Sequence, residues 1–68
     1  MVKVESFGLY HYEVTGEKES AAANDLEKTL VFLSRSYHLS PDYILSAQSD
    51  ARARIENQYN VKIKLVVN

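Results

Sequence analysis

Towards its C-terminal end the chain reads NVKIKLVVN. Val61, Ile63, Leu65 and Val67 fall on one side of an extended backbone, and Lys62, Lys64 and Asn68 fall on the other. A period of two marks a strand with one face against a core, as in an antiparallel sheet. A strand cannot satisfy its backbone alone, so this one must find a partner elsewhere in the chain. The other alternating segment lies at the opposite end. Whatever separates the two has to bring the chain back.

At the N-terminal end, Val2 and Val4 alternate with Lys3 and Glu5. Tyr10, Tyr12 and Val14 alternate with His11 and Glu13. A single straight strand over 2–14 would run roughly 40 Å at about 3.3 Å per residue, too long for so small a domain. Gly8 sits where a bulge or bend is cheapest. Two readings follow, one bent strand or two short strands joined near Ser6–Gly8. Lys62 and Lys64 should share the outer face with Glu5 or Glu13, with the terminal strands as antiparallel neighbours.

Between these ends the period changes. Ala23, Leu26, Leu30, Leu33 and Tyr37 recur at the three- and four-residue spacing of a helical stripe. Ser20 or Asn24 is a candidate cap, the latter with Glu27 three residues on. Val31 and Phe32 lie well off this stripe at about 100° per residue. Ser40-Pro41-Asp42 is a helix start: a serine cap, proline at the first position, an acid in the first turn. Ile44, Gln48, Ala51 and Ile55 then form a narrow stripe. Arg52 and Glu56 are spaced to pair on the surface, and Asn60 can end the helix in a left-handed conformation. A rival reading makes YILSAQS (43–49) a strand and starts the helix at Asp50.

The fold expected is therefore α+β: one small domain over residues 1–68, in the order β(β)ααβ. Two helices pack on one face of an antiparallel sheet of two to three strands. Such a sheet keeps open edges. At 68 residues and without cysteine, no disulfide or thiolate metal site can staple the chain. Core packing or self-association must supply the stability.

Charge and motifs limit the functions. Residues 1–34 hold three lysines against six acids, and residues 35–68 hold five basic residues against three acids. This is a mild polarity rather than the basic footprint of a nucleic-acid binder. The corner from Ser34 through Leu39 to Ile44 and Ala47 resembles a helix-turn-helix in its small and apolar offsets. That resemblance implies DNA recognition by the second helix. The turn position, however, is His38 rather than glycine, no Lys or Arg occurs from Ser36 to Ala51, and Asp42 would sit at the docking end. The corner reads better as structure. His11 and His38 lack the spacing of a metal pair. Glu17 and Glu19 read as solvated connector charges. No phosphate loop or nucleophile motif is present.

The expected function is a non-enzymatic binding or regulatory module acting through protein–protein contact, as a homodimer that also meets an unidentified protein partner. Val31, Phe32, Tyr10 and Tyr12 are the interface candidates, although the tyrosines read better as core. No metal, cofactor or membrane contact is expected, and the location is cytoplasmic. The rival is weak nucleic-acid binding through Arg35, Arg52, Arg54, Lys62 and Lys64.

Overall fold

The computed structural model describes residues 1–6, 8–35 and 40–68. Five elements follow one another: β1 (Val2–Ser6), β2 (Tyr10–Gly16), α1 (Glu19–Ser34), α2 (Pro41–Tyr59) and β3 (Val61–Val67). The α+β class and the ββααβ order are as the sequence predicts. The N-terminal segment is a hairpin, in which Gly8 takes φ 76° between β1 and β2. No side chain approaches that position, so glycine is there for its backbone freedom.

The strand order is β1-β2-β3, with both pairings antiparallel. This corrects one expectation. The last strand does not neighbour the first but pairs with β2, which occupies the centre. The predicted face holds, because Lys64 lies directly opposite Glu13 and Lys3 opposite the same residue on the other side. Opposite charges facing one another across strands contribute roughly 0.2–1 kcal/mol each.

The inner face of the sheet meets the helices. Val4, Tyr12, Val14, Val61 and Ile63 join Ala22, Ala23, Leu26, Leu30 and Ile55 in one buried cluster. The α1 stripe is as expected and gains Ala22, while Tyr37 lies outside the described residues. Along β3 the alternation misleads at its far end. Leu65 and Val67 point to the helix side but stay 44% and 78% exposed. Two helices cover only part of the inner face, and the end beside Tyr10 extends past their cover.

The helix α2 follows its sequence signals closely. The Ser40 hydroxyl accepts a hydrogen bond from the Tyr43 N–H at 3.1 Å, with Pro41 at the first position. Such a cap contributes about 1 kcal/mol. Residues 43–49 are helical, so the strand reading is set aside. Ile44, Gln48, Ala51 and Ile55 are buried as predicted, and Asn60 ends the helix at φ 53°. The start of α1 differs from expectation. Lys18 is the capping residue and makes no side-chain bond, and Ser20 and Asn24 lie within the helix. Glu19 is held elsewhere: its carboxylate accepts from the amino group of Met1 at 2.9 Å and from the Gly16 N–H at 3.2 Å. It therefore titrates below its ordinary value, chiefly through the amino-group bond.

Asp25 ties the two helices together. It accepts from the Arg54 guanidinium at 2.9 and 3.3 Å and from the Tyr59 hydroxyl at 2.8 Å. The Arg54 bonds, more than the others, hold its carboxyl below the usual range.

Candidate interaction surface

The tyrosines turn inward. Tyr12 is buried, and its hydroxyl donates to Gln48 Oε1 at 2.6 Å; Tyr10, half-buried, donates to the same oxygen at 3.3 Å. The rings meet edge to face with centroids 6.0 Å apart. Burial pushes the Tyr12 phenol up, which keeps it a donor. The Arg52 guanidinium lies 5.6 Å from the centre of the Tyr12 ring. This displaces the expected Arg52–Glu56 pair. Glu56 instead accepts from the Ile63 N–H at 2.9 Å, a backbone group on the free edge of β3. The Gln48 amide is the residue that sequence reasoning missed. It looked like an interruption in an apolar stripe, but its oxygen satisfies two phenols that would be costly to leave unpaired.

The five cations of the nucleic-acid reading are not brought together. Arg35 follows α1 at the loop end of the helices, and Arg54 is engaged by Asp25 between them. Arg52, on another side of α2, leans over Tyr12. Lys62 and Lys64 stand on the outer face of the sheet, away from the helices. Phosphate binding needs several cations along one track, and this arrangement offers pairs at most.

On the outer face His11 is nearly enclosed. Its Nδ1 lies 2.7 Å from Asn68 Oδ1 and its Nε2 lies 3.2 Å from Glu13 Oε2. Glu5, directly across on β1, reaches the Asn68 amide at 3.5 Å. A neutral imidazole can donate from one nitrogen only, whereas the imidazolium donates from both. The bonds to Asn68 and then Glu13 raise the His11 pKa, against opposition from burial and Lys3. A group whose folded pKa is raised contributes stability at pH below its unfolded value, and that contribution disappears as pH rises through the folded value. Urea midpoints should therefore fall between about pH 6 and pH 8, and His11→Gln should flatten that decline. A wild-type profile that is level or rises across this window refutes the assignment. Asp25 and Glu19 act with the opposite sign, and their contribution is lost only in acid.

Several large apolar side chains also remain exposed. Val31 is 50% and Phe32 67% exposed, so among the described residues neither is buried. Phe32 lies on the side of α1 that carries Asp25, towards the loop end of the helical hairpin. Val31 lies on the side facing β1. There it lines a groove of about 280 Å³ with Glu5, Glu27, Leu30 and Ser34. Tyr43 and Leu45 are exposed on α2. Among the described residues, no group of three His, Asp or Glu could hold a metal ion. Nor, among those residues, is any helix long and apolar enough to cross a membrane. Comparison with family models, with curated proteins and with solved structures finds no match for this chain.

Proposed function

We propose that this chain is a non-enzymatic interaction module that acts through protein–protein contact as a homodimer. The observation that carries the reading is the adjacent pair Val31 and Phe32, large apolar residues uncovered on a helix whose inward stripe is already complete. A single exposed apolar residue is ordinary, but two large ones in sequence on one helix, with Val31 beside a groove, mark a contact region. Several of the described polar groups are held in internal bonds. The tyrosines are tied to Gln48, Arg54 to Asp25, and His11 to Asn68 and Glu13. A contact surface repeated on both copies counts twice at a two-fold interface.

Sedimentation equilibrium tests the reading. The wild type should sediment as a dimer, and Val31→Asp, shown to be folded by circular dichroism, should shift it to monomer. A wild type that stays monomeric to millimolar concentration overturns the proposal. Titration with DNA and RNA at low and moderate salt addresses the rival. Sub-micromolar, steeply salt-dependent binding would favour nucleic acid instead.

A further inference from the structure

From the direction of the backbone groups along the sheet edges we infer that the dimer forms through β1, which pairs antiparallel with β1 of a second copy about a two-fold axis at Val4. This inference rests on the homodimer reading above.

The pairing pattern fixes which groups are free. Asn68 donates its N–H to the Leu9 carbonyl, so that end of β3 bonds to β2 through residue 68 and, by alternation, through residues 66, 64 and 62. Ile63, of the other parity, donates to Glu56 on the edge. Their β2 partners His11, Glu13 and Thr15 thus face β3, leaving Tyr10, Tyr12 and Val14 to bond with Ser6, Val4 and Val2. On β1 the backbone N–H and C=O groups of Lys3 and Glu5 are therefore the ones that point away from the sheet.

Two copies can join these groups in few ways. A register centred on Lys3 sets lysine against lysine, and one centred on Glu5 sets glutamate against glutamate. A register centred on Val4 places Lys3 opposite the partner's Glu5, and Glu5 opposite the partner's Lys3. Both pairs then use outward-facing backbone groups and carry opposite charges on the outer sheet face. This register also overlaps the whole of Val2–Ser6. The other edge offers no equivalent. The outer face of β3 carries only Lys62 and Lys64 as charges, so no self-pairing brings opposite charges together, and Glu56 already occupies the Ile63 N–H.

Below the joined edges, α1 of each copy comes alongside the other. Val31 and the groove it shares with Glu5, Glu27, Leu30 and Ser34 face that seam. Glu27 is the one like-charged group drawn towards the axis from α1. It is exposed, and at the rim its repulsion is largely screened. The result is a continuous six-stranded sheet with four helices on one face, and the two β1 edges become internal.

Charge exchange tests the register. Lys3→Glu should weaken self-association by about tenfold, because two attractive pairs become repulsive. Adding Glu5→Lys to the same chain should restore it. Because the chain has no cysteine, Val4→Cys provides a second measurement independent of charge. Opposed residues at a non-hydrogen-bonded antiparallel pair come within disulfide reach, so mild oxidation should cross-link Val4→Cys and leave Val66→Cys, on β3, uncross-linked. A monomeric wild type removes the homodimer reading and this inference together. A dimeric wild type removes this inference alone if the double exchange fails to rescue, or if Val66→Cys cross-links in place of Val4→Cys.

Discussion

Gly16→Ala should bring the chain close to unfolding. Gly16 ends β2 at φ 150°, in a region that L side chains rarely adopt. A Cβ there would lie 2.7 Å from both the Asn60 carbonyl oxygen and the Val61 Cα. Both are backbone atoms and cannot rotate aside. Asn60 is itself pinned, since its left-handed φ ends α2 and its side chain donates to Glu17 at 3.3 Å. Strain of about 1–3 kcal/mol adds to the cost of separating two backbones, for a total of about 3 kcal/mol or more. Gly8→Ala is the control. Its φ is also positive, but no atom lies within 4 Å, so only the conformational cost of about 1 kcal/mol applies. Urea melts of the two variants measure the difference. Equal losses would mean that the contact with Asn60 and Val61 does not limit position 16.

Ile55→Ala should have a comparable effect by a different route. Ile55 is fully buried where α2 meets the sheet. Truncating a buried isoleucine costs about 2–5 kcal/mol, according to how far the surroundings collapse. At about 0.05–0.15 kcal/mol per residue, a domain of this size holds only roughly 3–10 kcal/mol in all. The variant should therefore lose about a fifth of its stability at the least, and at the upper end all of it. Melts at several protein concentrations are required, because association adds to apparent stability by mass action. A loss below 1 kcal/mol would place the main core elsewhere.

Much of this architecture was legible because its determinants are local. Ser40, Pro41 and Asp42 specify a helix start within three residues, and Asn60 a stop within one. The stripes of α1 and α2 repeat at intervals that only a helix satisfies. Val31 and Phe32 stood out because they broke that interval. The features that escaped depend on what lies across the molecule. Nothing near Gln48 announces two phenols, and nothing near His11 announces Asn68 at the other end of the chain. Arg52 and Glu56 have a spacing suited to pairing, yet each found a better partner in the sheet. Lys18 stands at the cap without a side-chain bond, and Glu19 beside it is engaged by Met1 and Gly16, contacts that no capping motif encodes. Leu65 and Val67 followed a valid period onto the inner face, but period says nothing of how far a helix reaches.

The central place of β2 bears on how the chain assembles in time. One flank of β2 is filled by β1 across a tight turn, an event of microseconds. The other flank waits for β3, which arrives only after both helices have been traversed, so its closure carries the larger loop entropy. During that interval β2 presents an open row of amides and carbonyls beside His11 and Glu13. A β3 from a neighbouring molecule fits that row as well as the chain's own. Dilute refolding therefore favours the closed form, and refolding at high concentration admits copies that have exchanged their last strand.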